Sequence, residues 1–306
     1  MAGPEGAAST RTQVGRGAAL ARAGLAGNPS DGYDGAVLAM TFHEQSAEAH
    51  ARDSSRPEVI PASELVQATV RRFARDLAPD APPAAIAWRT SIPRGVGLGG
   101  SSAIVIATLR ALCELRGIGS RPAELAELAL AVETQELGLA AGLQDRVAQA
   151  FGGVTFMNFA RGAQGRYEQL DPRLLPVLLI AWRAEAAADS DRVHRSLRAR
   201  FERGDPVVRA GMSELADLAL RARTALLRGD RARFAQCVEG SFEARRGMMA
   251  LDPRHLEMIS IARGCGASAN YTGSGGAIVA VCRDPAHRAF VAEALTAAGC
   301  ETVSPT

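Results

Sequence analysis

The stretch Pro93-Arg94-Gly95-Val96-Gly97-Leu98-Gly99-Gly100-Ser101-Ser102-Ala103 concentrates four glycines and two serines between a strand-like and a helix-like segment. Glycine tolerates left-handed backbone and lets N–H groups close on an anion, and the helix that follows contributes its positive end. Phosphate binding is the chemistry expected, with a tight structural turn as the plainer alternative. Gly95, Gly97 and Gly100 also satisfy the dinucleotide fingerprint, which requires a second parallel strand after the helix, ending in an acidic residue. Here Gly117-Ile118-Gly119-Ser120-Arg121-Pro122 leads into another helix instead, which argues against a Rossmann oxidoreductase. A lysine-bearing nucleotide loop is excluded, because all 35 basic residues are arginine and the chain has no lysine. Schiff-base catalysis by lysine is excluded with it.

The elements that must hold this turn are legible around it. Ile86, Trp88, Thr90 and Ile92 alternate as on a strand that stops at Pro93. Ser101 to Arg116 has helical spacing with Gly117 as its stop, and Ser120 with Pro122 opens a second helix expected to run to Gly138. A third helix is expected over Leu143 to Phe151, followed by a strand from Val154. The second half is helix-heavy: a strand from Val177 to Trp182, then helices around 189–203, 206–228 and 230–249. Asp252-Pro253 and Asp284-Pro285 announce two more helices, each a capping carboxylate followed by proline in the first turn. Strand, helix and strand over 277–303 complete an α+β unit. The expected organisation is a Gly- and Ala-rich disordered extension over 1–18, an N-terminal nucleotide-binding domain over 19–172 and a C-terminal domain over 173–306.

With 306 residues, 47% of them hydrophobic, and a net charge of +2, the chain can bury two cores but lacks the basic excess of a nucleic-acid partner. The longest apolar run, Leu174 to Trp182, is too short for a membrane span, and Arg11, Arg16 and Arg22 interrupt any signal-peptide core. Cys113, Cys237, Cys265, Cys282 and Cys300 are odd in number and form no CxxC pair, favouring reduced thiols and a cytoplasmic location. Five scattered histidines make no zinc motif.

Three segments in order resemble the GHMP kinases, the superfamily of galactokinase, homoserine kinase and mevalonate kinase. Pro93 to Ala103 resembles the second motif, and Gly266-Ala267-Ser268-Ala269-Asn270-Tyr271-Thr272-Gly273-Ser274-Gly275-Gly276-Ala277 resembles the glycine-rich third. Ala23-Gly24-Leu25-Ala26-Gly27-Asn28-Pro29-Ser30-Asp31 stands where the first belongs. Gly27 to Asp31, Ile92-Pro93-Arg94, Glu136-Leu137-Gly138, Gly142 to Gln149 and Thr272 to Gly276 are similar, more narrowly, to the glucuronokinase branch. That likeness runs from about Ala21 to Val303; Gly99 replaces an expected serine, and the segment between the first two motifs is short.

The resemblance implies a two-domain α+β fold, with a βαβ phosphate loop and a ferredoxin-like C-terminal domain, and an ATP- and Mg²⁺-dependent sugar kinase. On that reading Pro93, Gly95, Gly97, Leu98, Gly99, Gly100, Ser101, Ser102 and Ala103 hold the nucleotide, with Gly273, Ser274 and Gly275 packed against them. Ser102 and Glu133 are the implied Mg²⁺ ligands, with Glu136 on the same helix face as a substitute. Asp145 is the implied catalytic carboxylate beside the sugar hydroxyl, and Arg22 the cation that keeps it ionised. Asn28, Ser30, Asp31 and Tyr33 offer partners for sugar hydroxyls. Arg94, Arg183 and Arg245 are candidates for a uronate carboxylate, which an arginine fork binds well. Buried structural roles are the expectation for His194 and Cys265, with a place near the cleft as the alternative. The expected reaction makes D-glucuronate 1-phosphate and ADP; the alternatives are another acceptor, such as a heptose phosphate or mevalonate, and a non-catalytic nucleotide-binding regulator. The partners implied are a sugar acid and ATP, with neither nucleic acid nor membrane.

Overall fold

The computed structural model describes residues 13–160, 166–184 and 190–306, with side chains undescribed over 190–194. In chain order the elements of the first half are β1 (Val14–Ala26), β2 (Ala36–Asp53), β3 (Glu58–Ile60), α1 (Glu64–Leu77), β4 (Ala84–Thr90), α2 (Gly100–Arg116), α3 (Pro122–Ala131), α4 (Gln144–Phe151), β5 (Val154–Asn158) and β6 (Arg166–Leu170). The second half adds β7 (Val177–Trp182), α5 (Ser190–Glu202), α6 (Pro206–Leu227), α7 (Arg231–Met248), α8 (Pro253–Gly264), β8 (Ser268–Tyr271), β9 (Ala277–Cys282), α9 (Pro285–Ala297) and β10 (Glu301–Val303).

The first sheet is organised by β2. Its start pairs with β5, its end with β4, and its other edge with β1, all antiparallel. Ala21 faces Phe42 while Leu20 faces Ser46, so residues 43–45 have no opposite number and the ladder bends there, beside Arg22. Since β4 and β5 both run antiparallel to β2, they are parallel to each other, and α2 to α4 lie in the connection between them. The second sheet has the order β10-β7-β9-β8 and is antiparallel throughout, the ferredoxin-like arrangement expected.

Helix α2 is buried nearly all round, from Ser102 and Ala103 to Leu115, as a helix sandwiched in a core must be. It lies against β1 so closely that a Cβ at Gly15 would fall 2.0 Å from the Ala111 carbonyl, and one at Gly17 2.0 Å from that of Ala107. This corrects the expected extension over 1–18: residues 14–18 are strand, and their glycines serve backbone contact rather than disorder. Residues 1–12 lie outside the described residues.

A second difference concerns the helix expected from Pro122 to Gly138. The α-helix ends at Ala131 and continues as a wider π turn over Val132–Glu136. The third and fourth expected helices, and both Asp-Pro starts, are where the sequence puts them; Asp252 accepts from the Arg254 N–H and Asp284 from that of His287. Each such cap is worth about 1 kcal/mol. The core is continuous across the sheets, with Leu25 and Phe42 in the same buried cluster as Ile180, Trp182, Ala219 and Phe234. A second cluster fills the space under α8 and α9 around Leu179, Ile259, Tyr271 and Val291. All five cysteines are free, and among the described residues no helix is long and apolar enough to cross a membrane.

The close approach of β1 to α2 is testable. Gly17→Ala should lower unfolding stability by about 2–3 kcal/mol, read from the urea midpoint, because backbone rather than a movable side chain blocks the methyl. Gly119→Ala, whose methyl would meet nothing within 4 Å, should stay within about 0.5 kcal/mol of the parent.

Candidate active site

A cleft of about 600 Å³ opens between the loop that leads into α2, the start of α4, and the turn that joins β8 to β9. Pro93, Gly95, Gly97, Leu98, Gly99, Gly100 and Ser101 border it, as do Gly273 and Ser274. Gly97 and Gly273 touch backbone to backbone: a Cβ on Gly273 would sit 2.5 Å from the Gly97 carbonyl, and one on Gly97 2.8 Å from that of Gly275. The Thr272 hydroxyl adds a bond to the Gly97 carbonyl at 2.8 Å. Gly99, at φ 74°, leads into the helix, and a Cβ there would meet the Gln149 amide at 2.8 Å and the Arg22 side chain at 3.0 Å. This crowding accounts for glycine at the position where serine was expected.

Three of the expected nucleotide contacts lie off the cleft wall. Ser102 and Ala103 are fully buried in α2, and Gly275 packs beneath the turn against His255.

Arg22, on β1, organises the centre. Its Nε and Nη2 donate to the two carboxylate oxygens of Asp145, at 2.7 and 2.6 Å. Its Nη1 donates to the Gly97 carbonyl at 2.6 Å and to the Thr272 carbonyl at 3.0 Å. One guanidinium thus ties two glycine-rich segments, at Gly97 and Thr272, to the carboxylate, which lies in the first turn of α4. The arrangement holds Asp145 in one orientation at the cleft surface, where it can accept or orient a hydroxyl proton.

Glu133 is 2% exposed and faces the cleft from the π turn. Arg146 donates from both Nε and Nη2 to its Oε2, while the Ser101 hydroxyl donates to Oε1 at 2.9 Å. The expected partnership of Ser102 with Glu133 is therefore corrected to Ser101, since the Ser102 hydroxyl points inward to the Gly99 carbonyl at 3.1 Å. Nor do Glu133 and Glu136 share a face. The wider π turn rotates them apart, and Glu136 pairs at 2.7 Å with Arg75, outside the cleft.

Ser101 and Glu133 Oε1 supply two hard oxygens, the donor type Mg²⁺ takes when phosphates and water complete its shell. Among the described residues no group of three or more His, Cys, Asp or Glu could hold a metal by itself. The donor set therefore fits an ion that arrives with a phosphate ligand. Burial alone would weaken the charge on Arg146, but the carboxylates of Glu133 and Asp145 outweigh it and hold that guanidinium protonated more firmly than usual.

The acceptor end is smaller than the sequence suggested. Asp31 lines the cleft and accepts from the Gln144 N–H at 3.1 Å; the absence of a side chain at Gly142 makes room for its carboxylate. Burial pushes its pKa up to about 6, and the charge of Asp145 adds to the rise against the pull of the Gln144 N–H and Arg146. Asn28 also lines the cleft. Ser30 and Tyr33 do not: the Ser30 hydroxyl is spent on the Ala36 carbonyl at 2.8 Å, and Tyr33 packs on Phe201 with Arg198 over its ring.

The three arginine candidates separate just as clearly. Arg183 lies off the cleft, bonded to Glu257 and the Ala298 carbonyl; Arg94 is exposed on the rim, and Arg245 is buried in the wall. Cys265 lies off the cleft with its carbonyl on His287, and the side chain of His194 is outside the described residues.

Sequence reasoning missed Arg146 and Gln144, which sit beside Asp145 in the quoted Gly142–Gln149 stretch and were there to be weighed. It also missed the opposite end of the cleft, where Ala62, Leu65, Trp88, Ile92 and Ile104 form an apolar wall. Those residues come from three separate segments, so no local motif marks them.

Residues 64–153 match the GHMP kinases N terminal domain, and residues 222–300 match the GHMP kinases C terminal domain. Glucuronokinase 1 of Arabidopsis thaliana is 33% identical over 308 aligned residues, covering 86% of this chain and 83% of that protein. Probable glucuronokinase 2 of the same plant is 39% identical over 207 residues, covering 64% of this chain and 56% of that protein. The structure of Lactococcus lactis galactokinase complexed with galactose superposes with a TM-score of 0.80 at 16% identity, over 96% of this chain and 93% of that one. Both halves of the family pattern are matched in chain order and the cleft lies where they meet, so this chain belongs to the GHMP kinase family.

Proposed function

We propose that this GHMP kinase transfers the γ-phosphoryl group of ATP to the anomeric hydroxyl of D-glucuronate, giving D-glucuronate 1-phosphate and ADP. The observation that carries the reading is the Arg22–Asp145 fork, set between a glycine-rich loop at a helix N-terminus and an acceptor pocket. The identity to Glucuronokinase 1 and Probable glucuronokinase 2 supports the choice of sugar.

Phosphoryl transfer asks the protein for alignment, charge neutralisation and an outlet for the hydroxyl proton. Backbone N–H groups of the Gly95–Ser101 loop and the start of α2 face the phosphates. The apolar wall at Leu65, Trp88 and Ile104 suits a nucleobase. Asp145 receives or orients the acceptor's proton, while the Arg22 fork sets the direction of that carboxylate. Asp31 and Asn28 meet the sugar hydroxyls. Glu133 and Ser101 would hold Mg²⁺, which when bound offsets charge on the phosphates. Arg146 fixes Glu133 so that Oε1 is the oxygen presented.

An ADP-release assay with glucuronate, galacturonate, galactose, heptose 7-phosphate and mevalonate should show turnover of glucuronate above the rest. Turnover confined to another acceptor would replace the substrate, and nucleotide binding without transfer to any of them would make the chain a regulator.

Asp145→Asn should reduce kcat by about 10²- to 10⁴-fold. Its affinity for a non-hydrolysable ATP analogue should stay within a few-fold of the parent, and full activity would remove Asp145 from the chemistry. Asp31 supplies a pH signature. Its ionised form accepts hydroxyl hydrogens, so KM for the sugar should rise as pH falls through about 6, and Asp31→Asn should flatten that limb. Because the folded protein holds the Asp31 proton more tightly than the unfolded chain, the same group opposes folding above about pH 6. The asparagine variant should therefore gain thermal stability at pH 8 relative to pH 5.

A further inference from the structure

Of the buried arginines that line the cleft, one lacks an acidic partner among the described residues. Arg22 is matched by Asp145 and Arg146 by Glu133, Asp31 rests on the Gln144 N–H, and Arg94 stands in solvent on the rim. Arg245, near the end of α7, is 2% exposed and lines the same cleft, and among the described residues no carboxylate pairs with it. Its Nη2 donates to the Gly273 carbonyl, its Nη1 reaches the Asn28 carbonyl only at 3.4 Å, and its Nε has no partner. The guanidinium carbon lies 5.4 Å from the centroid of the Tyr271 ring, which fixes its plane. Burial lowers its pKa to about 10, with Arg22 adding repulsion, so it still carries its charge at neutral pH. A buried cation without a counter-ion is expensive, and an incoming anion relieves that cost.

We infer that Arg245 is the receptor for an oxyanion of the acceptor, and that this oxyanion is the carboxylate of the sugar acid. The inference rests on the proposed function and deepens it by naming what makes the acceptor pocket select an acid over a neutral sugar. Placement favours the acceptor over the transferring phosphate. Arg245 bonds the carbonyl of Asn28, which opens the segment carrying Asp31, while the phosphates already face loop N–H groups and Arg22. A carboxylate brings one negative charge to the one unmatched buried positive charge. The weak bond from Nη1 to Asn28 leaves that nitrogen able to turn to a ligand oxygen.

The test compares glucuronate with glucuronamide, the same sugar carrying a neutral amide, in the parent enzyme, Arg245→Met and Arg245→Lys. The parent should bind glucuronate about 10- to 100-fold more tightly than the amide, and Arg245→Met should erase that ratio by weakening glucuronate alone. Affinity for a non-hydrolysable ATP analogue should hold, and the melting temperature of Arg245→Met should not fall, because the unmatched charge is gone. Arg245→Lys, which keeps the charge without the fork, should show an intermediate ratio and serves if the methionine variant does not fold. A parent that turns over glucuronate but binds both sugars alike, or a variant that keeps the parent ratio, overturns the role of Arg245 and leaves the proposed function standing. Loss of ATP-analogue affinity with an unchanged ratio assigns Arg245 to phosphate and overturns it equally. A parent that phosphorylates no uronic acid overturns the proposed function, and this inference with it.

Discussion

One guanidinium sets the geometry of the whole cleft. Arg22 uses two nitrogens on Asp145 and the third on two carbonyls, so its position is over-determined by three chain segments at once. Such a fork adds little net stability, since desolvating both ions offsets most of their attraction, but removing either partner strands the other. Its value is directional. The bend in β2 opposite Leu20 and Ala21, the crowding at Gly99 and the backbone contact of Gly97 with Gly273 are all conditions for that side chain to reach its partners.

The pairing of charges has a further effect on how the cleft meets its ligands. Asp145 and Glu133 are each held by an arginine fork, so neither is free to turn toward a neighbour, and each presents a fixed lone-pair direction. Asp31 is held instead by one backbone N–H, and burial leaves it close to neutrality in the acid range. Three carboxylates in one cleft thus behave differently because their partners differ: a guanidinium shared with the glycine-rich loop, a guanidinium shared with the Gly142 carbonyl, and an amide.

Much of this was readable from the chain because it depends on local rules. The glycine-rich loop, α2 with its glycine stop, the two Asp-Pro helix starts and the strand–helix–strand close of the C-terminal sheet follow from spacing and caps. What escaped depends on neighbours far along the chain. Gly15 and Gly17 read as disorder because their purpose, the backbone of α2, lies about ninety residues away. The π turn left no mark in the helical periodicity of Pro122 to Gly138, and so Glu136 looked equivalent to Glu133. Ser30, Tyr33 and Arg183 have the right chemistry for a sugar, but their hydrogen bonds and ring contacts are already committed elsewhere. Arginine abundance hid Arg245 among many equals until burial and the lack of an acidic partner set it apart.

The contact between Gly97 and Gly273 has a consequence for the life of the chain before it is an enzyme. Arg22 and Thr272 are 250 positions apart, yet the glycine-rich loop before α2 reaches its final shape only when the β8–β9 turn closes over it. During synthesis the first sheet and α2 can gather as soon as they emerge, while the loop at their edge stays without its lid of backbone until nearly the last strand has been made. Contacts of such long range are slow to form, because the entropy of closing the loop is lost before any bond repays it. Closure of that loop is therefore a late event in folding, and a nascent chain halted before the β8–β9 turn would lack it.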